Sequence, residues 1–249
     1  MVKNEHLGQH FLTDKSVLDR IISEADIDAD DVVLEIGAGK GLLTRRLSGL
    51  CSKVIVIEKD PSFRRHLETI KNTELIFDDA LKAIDDLEFD RIVANIPYYI
   101  SEPLIRKVLR IDIKSMVLLV GKRFAEKISS GDRLSAMIAC FYDMEQLQPV
   151  SRSSFDPPPH VDSILLKFIR KDTGALDRTQ YILRELILQS DKKVKNALRD
   201  TLMTSEKIPK KAAVDKMMAL GLRDEILNKS ILSLSEGRFR KLREALQSL

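Results

Sequence analysis

The chain has 249 residues, 41 Lys and Arg against 38 Asp and Glu, two cysteines and four histidines. This length holds one full α/β domain with something smaller attached. No apolar run approaches the roughly 20 residues of a membrane span, the opening MVKNEHLGQHFLTD has no signal-peptide core, and Cys51 and Cys140 with scattered histidines fit neither a disulfide framework nor a metal site, so a cytoplasmic, monomeric protein is expected.

In chain order, GQHFL (Gly8 to Leu12) precedes a helix that Thr13 or Asp14 would cap and that Val17, Leu18, Ile21 and Ile22 would pack. Val32 to Ile36 is an apolar run suited to a central parallel strand, and it empties into Gly37-Ala38-Gly39-Lys40-Gly41. A helix follows from Leu42. A second strand, Val54 to Ile57, ends in Glu58; a helix then opens at Pro61 and is expected to reach about Ile70. A third strand, Glu74 to Phe77, ends in Asp78-Asp79, and a fourth, Phe89 to Ala94, leads to Asn95. Ser115 to Val120 reads as a fifth strand, with helical sequence to about Cys140. Gln148 to Ser153 and Ser163 to Ile169 read as two more strands around the loop FDPPPHVD.

Alternating strands and helices predict an α/β doubly wound parallel sheet, whose strand-end loops share the carboxyl edge where ligands of such sheets bind. KDTGALD (Lys171 to Asp177) marks the boundary, dividing the chain into 1–172 and 173–249. Beyond it the apolar spacing is helical: Ile182, Leu183, Leu186 and Ile187, then Val194, Leu198 and Leu202, then Phe239, Leu242 and Leu246. Ser233 and Glu236 are expected to form a capping box for the last helix.

Each strand end carries chemistry. Gly37-x-Gly39-x-Gly41 lets a ligand approach the backbone closely, yet it is neither the dinucleotide fingerprint nor a P-loop. Glu58, roughly 20 residues further on, is placed to hold two ribose hydroxyls. Asp79 is placed to accept from an adenine amine, although a solvated turn accounts for Asp78-Asp79 as well. A nucleoside pocket without a phosphate clamp fits S-adenosylmethionine better than NAD or ATP. At the fourth strand end, Pro97 fixes its own φ, lacks a donor and pushes Ile96 towards an extended conformation. The free carbonyls there, the Asn95 amide and the Tyr98 ring form a set that can grip a planar group bearing an NH2.

GQHFL, EIGAGKGLLT, Glu58, Asp79-Ala80-Leu81, NIPYYIS and SFDPPPHVDS, in this order, closely resemble the ribosomal RNA adenine dimethyltransferases, and within them the small-subunit (KsgA) type. The resemblance implies a Rossmann-like, S-adenosylmethionine-dependent methyltransferase sheet of seven strands with a C-terminal all-helical domain. Carried over residue by residue, it puts Gln9, His10, Leu12, Gly37, Gly39, Glu58, Lys59, Asp79, Ala80 and Asn95 around the cofactor. It makes Asn95, Ile96, Pro97, Tyr98 and Phe155 the catalytic set, with Tyr98 and Phe155 flanking the target base. His10 stands where Asn is frequent, Ala38 where Pro is usual, Asp78 for a Gly and Tyr99 for a frequent Asn.

The implied mechanism needs no strong base. Hydrogen bonds from an adenine NH2 to the Asn95 side-chain oxygen and to a carbonyl at Ile96 or Pro97 would make its nitrogen more nucleophilic. Residues 176–249 hold 16 Lys and Arg against 10 Asp and Glu, a net of +6, whereas the rest holds 25 against 28. A basic tail points to a polyanion, with Lys192, Lys193, Lys195 and Arg199 as candidate contacts to RNA phosphates and Lys192, Lys195 and Arg199 expected on one helical face. The expected partner is small-subunit ribosomal RNA or a pre-ribosomal particle. Alternatives are a large-subunit enzyme of the erythromycin-resistance type, or an assembly factor acting mainly by binding.

Overall fold

The apolar runs become strands because their side chains are buried on both faces of a sheet. In the computed structural model, which describes residues 10–249, the strands are β1 Phe11–Leu12, β2 Val32–Ile36, β3 Lys53–Ile57, β4 Thr73–Ile76, β5 Arg91–Asn95, β6 Ser115–Gly121, β7 Tyr142–Val150, β8 Phe155–Asp156 and β9 Ser163–Arg170. Seven of them form one sheet in the order β4-β3-β2-β5-β6-β9-β7. Neighbours from β4 to β6 run parallel, and β9 runs antiparallel to β6 with Gly121 opposite Ser163. All seven residues of β6 are buried. This is the expected Rossmann-like α/β sheet. Strand order reverses at β2, which has β3 on one side and β5 on the other, so a crevice opens above its carboxyl end. The remaining two strands, β1 and β8, pair antiparallel on their own, Phe11 opposite Asp156 and Leu12 opposite Phe155.

At the opposite edge the sheet buries a charge. Arg91 opens β5 and is nearly enclosed; it donates to Asp31, to Asp28 Oδ2 at 2.9 Å and to Ser115 Oγ at 3.0 Å. Burial alone would raise the Asp31 carboxyl, but hydrogen bonds from Lys114, the Asp28 backbone and Arg91 outweigh it and hold it below the usual range. A buried charge is tolerated only when paired in this way.

Two compact units emerge: residues 1–127 with 144–170, and residues 128–143 with 171–249. The second unit is helical. Asp177 and Gln180 form a reciprocal capping box for the helix Arg178–Leu188, which buries Ile182, Leu183, Leu186 and Ile187 as the spacing predicts. Val194, Leu198 and Leu202, and then Phe239, Leu242 and Leu246, are buried likewise. The helix Arg133–Ala139 belongs to this unit and buries Leu134, Met137 and Ile138. Arg133 donates to the Leu234 carbonyl, and the Arg184 guanidinium lies 4.7 Å from the Phe141 ring centre.

Several expectations need correction. The last helix, Glu236–Leu246, starts one residue after Ser235, so Glu236 is its first residue and Ser233 caps nothing; the Ser233 hydroxyl donates to the Ser230 carbonyl instead. The segment after Pro61 is a 3-10 turn followed by a helix only over Arg64–Leu67, because Pro61 sits in the short turn capped by Asp60. β7 begins at Tyr142, well before Gln148, and Arg152–Ser154 is a 3-10 turn. Asp14 rather than Thr13 caps the first helix, accepting from Ser16 N at 2.9 Å.

Candidate active site

The crevice above β2 is an open cleft. It is walled by the ends of β2, β3 and β5, by β1, and by the loop at Asp78–Ala80. Gly37 and Gly39 have φ of 76° and 53°, a region that costs other residues strain. Space excludes side chains as well: a Cβ on Gly37 would lie 3.3 Å from Pro97 Cδ, and one on Gly39 would lie 2.7 Å from Phe11 Cε1. The loop is therefore held close to both the Asn95–Pro97 tip and β1. Glu58 secures it from β3, with Oε2 accepting from Gly39 N and Oε1 from Asp60 N, both at 2.8 Å. Burial pushes the Glu58 carboxyl up, and those two backbone donors oppose the rise.

Asp79 caps the short helix Ala80–Ala83 through Leu81 N at 2.9 Å, while Lys59 Nζ binds its other oxygen at 2.9 Å. The Lys59 hydrogen bond leads the causes that hold Asp79 below the usual range, so it is an ionised acceptor at the cleft wall. Ala80, Leu12 and His10 also line the cleft. Gln9 lies outside the described residues.

Glu35 went unrecognised in the sequence because it sits inside an apolar strand run. It lines the cleft and is 2% exposed, and its Oε2 has no hydrogen-bond partner among the described residues. Burial is the largest influence and pushes its carboxyl up to about 8. The only readable signal was a carboxylate in a strand whose other residues are all apolar.

At the tip, Asn95 Nδ2 donates to the His10 carbonyl at 3.2 Å, which leaves Oδ1 as the end of the amide able to accept. The Pro97 carbonyl accepts from Ile100 N at 3.0 Å. Ile96 is therefore the better placed of the two backbone acceptors, since its carbonyl receives no donor among the described residues. Tyr98 is half-buried with its hydroxyl 2.5 Å from Ser163 Oγ. Burial pushes the Tyr98 phenol up. The His10 ring lies 6.3 Å from the Tyr98 ring at 27°, and its Nδ1 is 2.9 Å from the Pro157 carbonyl.

Phe155 is placed differently from the other catalytic candidates. It is 4% exposed, packed in the core from β8 opposite Leu12, and outside the cleft lining. In the tail, Lys192 precedes the helix Val194–Glu206 and so does not share a helical face with Lys195 and Arg199. Asp200 binds both Lys192, at 3.0 Å, and Arg199, at 2.6 Å, which offsets part of the cationic field; Lys193 is an exposed helix cap. A second recess was not anticipated: Lys122, Arg123, Arg152 and His160 line it between the end of β6 and the start of β9, together with the carboxylates Glu126 and Asp162, and Lys122 lies 3.9 Å from Glu126.

A family model described as ribosomal RNA adenine dimethylase matches residues 1–232. A probable ribosomal RNA small subunit methyltransferase A of Methanococcus aeolicus is 34% identical, covering 94% of this chain and 93% of its own. Among solved structures, a dimethyladenosine transferase from Plasmodium falciparum is 33% identical with a TM-score of 0.63, covering 94% of this chain and 96% of that one. The 23S rRNA methyltransferase ErmE is 25% identical with a TM-score of 0.61, covering 95% of this chain and 99% of its own.

Proposed function

The chain belongs to the ribosomal RNA adenine dimethylase family, and from that premise we propose that the β2 cleft takes S-adenosylmethionine and that the Asn95 tip presents an adenine amine to it. The protein is an rRNA (adenine-N6)-dimethyltransferase of small-subunit RNA. The 34% identity to a small-subunit relative, against 25% to ErmE, favours this over the large-subunit alternative.

The cleft residues fit the cofactor. Buried Glu35 lines the cleft with Oε2 unpartnered among the described residues, and only Thr44 beside it opposes the rise that burial causes, so the carboxyl has capacity left for a ligand's donor. Glu58 is held by backbone donors where it can still accept from ribose hydroxyls. Asp79 offers an acceptor to an adenine edge. When bound, S-adenosylmethionine supplies a methyl group on a sulfonium, an electrophile that needs no further activation.

The chain's own work is positioning. The observation that carries the reading is the Asn95 amide, whose Nδ2 is taken up by the His10 carbonyl so that Oδ1 is left to accept, one residue before the Ile96 carbonyl in the chain. Two acceptors at one strand end bind the two hydrogens of an exocyclic amine and draw its lone pair out of conjugation. Correct placement of two reactants supplies up to about 7–11 kcal/mol. Tyr98 stacks on the extruded base, worth about 1–3 kcal/mol. Phe155, buried in β8 and paired with Leu12, serves by supporting the strand that follows His10 rather than by touching the base in this arrangement. The phosphates of the same RNA meet the basic second unit and the Lys122–Arg152 recess.

No helix among the described residues is long and apolar enough to cross a membrane. Action in the cytoplasm, as a monomer, on immature small subunits completes the proposal. Mapping methylated adenosines by mass spectrometry in ribosomal RNA, from cells with and without the gene, tests it. Loss of dimethyladenosine from small-subunit RNA is expected. Loss only from large-subunit RNA, or no change at all, overturns it.

A further inference from the structure

Tyr98 stands on an unusual floor. Gly121, the last residue of β6, lies under its ring: a Cβ there would sit 3.1 Å from both Tyr98 Cγ and Cδ2. Unlike Gly37 and Gly39, Gly121 is not among the residues with positive φ, so its backbone does not require glycine. What crowds a side chain there is the ring, which would have to shift to admit even a methyl group. Directly opposite Gly121 in the antiparallel register is Ser163, the first residue of β9. Ser163 is fully buried, and its hydroxyl lies 2.5 Å from the Tyr98 hydroxyl.

We propose that the Gly121–Ser163 pair is a seat that sets the position of the Tyr98 ring, and that Ser163 is a positioning residue for methyl transfer. The inference rests on the reading of Tyr98 as the platform for the target base. A tyrosine on a 3-10 turn beyond a strand end has rotamers to choose from; here the floor limits the ring from below and the buried hydroxyl ties its far end. Both constraints come from adjacent strands of the rigid sheet rather than from a loop. Pre-ordering the ring lowers the entropy lost when a base is captured. Tyr98→Phe consequently leaves the Ser163 hydroxyl buried without its partner, and that change is not mild.

The test uses the full chain, S-adenosylmethionine and immature small-subunit particles, with single-turnover transfer at saturating cofactor as the readout. Ser163→Ala and Tyr98→Phe are each expected to slow transfer about tenfold, the effect of losing one hydrogen bond of ordinary net strength. Cofactor affinity by calorimetry should stay within about twofold, since neither side chain is asked to bind it. The double variant should be no slower than either single one, because both changes cut the same bond. Gly121→Ala should slow transfer in the Tyr98→Phe background as well, where the ring remains, but not in Tyr98→Ala, where it is gone.

Wild-type rates in Ser163→Ala overturn the seat, and so do multiplying losses from Ser163→Ala and Tyr98→Phe. If Ser163→Ala fails to fold, the proposal stands or falls on Tyr98→Phe and the Gly121→Ala pair. A wild-type enzyme that transfers no methyl group to small-subunit adenosine sinks the functional reading instead. Those two failures are therefore distinct.

Discussion

Replacing Glu35 by Gln removes a titratable group from the cleft while keeping the side chain's shape, and its effect on stability follows from burial. The Glu35 carboxyl is raised from an ordinary 4.5 to about 8 in the folded protein. At neutral pH it is then protonated when folded and ionised when unfolded, so the folded state binds more protons and stability falls as pH rises through that window. The contribution is complete below the unfolded value and is lost progressively up to about 8. At about 1.4 kcal/mol per pKa unit, raising the pH from about 5 to about 8 costs the ligand-free wild type about 3–4 kcal/mol from this one group. Glu35→Gln should lack that component, so subtracting its pH profile from that of the wild type isolates it. Urea unfolding of both proteins at the two pH values is the measurement. Identical pH dependence in the two would show that Glu35 is ionised in the folded protein and that the cleft is wetter than its burial indicates. The same reasoning extends to the ligand. A cationic group bound near the carboxylate favours its ionised form, so S-adenosylmethionine binding at neutral pH should release up to about one proton from Glu35. Calorimetry in buffers of different ionisation enthalpy should find that proton in the wild type and not in Glu35→Gln.

Three further outcomes are expected. Glu58→Ala should weaken S-adenosylmethionine binding by about 1–3 kcal/mol, because the Gly39 and Asp60 amides lose their acceptor along with the ribose hydroxyls; unchanged calorimetric affinity would remove Glu58 from the site. Asn95→Ala should raise the barrier to transfer by about 2.7–4 kcal/mol, by analogy with deleting one preorganised group, with RNA affinity nearly unchanged; a near-normal single-turnover rate would refute its role. Neutralising Lys122, Arg123 and Arg152 together should lower RNA affinity and flatten its salt dependence by about 0.7 per lost contact with a single strand; an unaltered slope in filter binding would make the recess a solvated surface.

Much of the sheet was legible because parallel strands buried on both faces are written as near-continuous apolar runs, as in VVLEI and SMVLLVG. β7 is hard to read in its first half because YDMEQLQPV is rich in polar residues and its alternation breaks at Glu145-Gln146. The grouping of residues 128–143 with the tail could not be seen, since their sequence continues an ordinary strand–helix alternation; only the packing of Leu134, Met137 and Ile138 assigns them. The last helix was misjudged by local chemistry: Ser233 and Ser235 can each start it, and the chain uses the latter. In the cleft, motif residues were readable by type and order, but their partners were not. That Asn95 is oriented by a backbone carbonyl, that Tyr98 is tied to Ser163, and that Asp200 binds two of the tail's cations are facts of three-dimensional proximity.

The pairing of β1 with β8 has a consequence for how the cleft opens. Each strand has two residues and neither has another partner in a sheet, yet the contact from His10 to Pro157 closes a span of 147 residues. A contact so distant in sequence and so small in area is expensive in loop entropy and late to form. It is also the cheapest part of the cleft wall to release, since unzipping β1 disturbs no strand of the central sheet. Amide protons of Phe11, Leu12 and Thr13 should therefore exchange through local opening long before those of β5 or β6, and a bound ligand that touches β1 should slow them selectively. β1 is thus late to take its place, and it folds down only when residues beyond 150 exist to receive it.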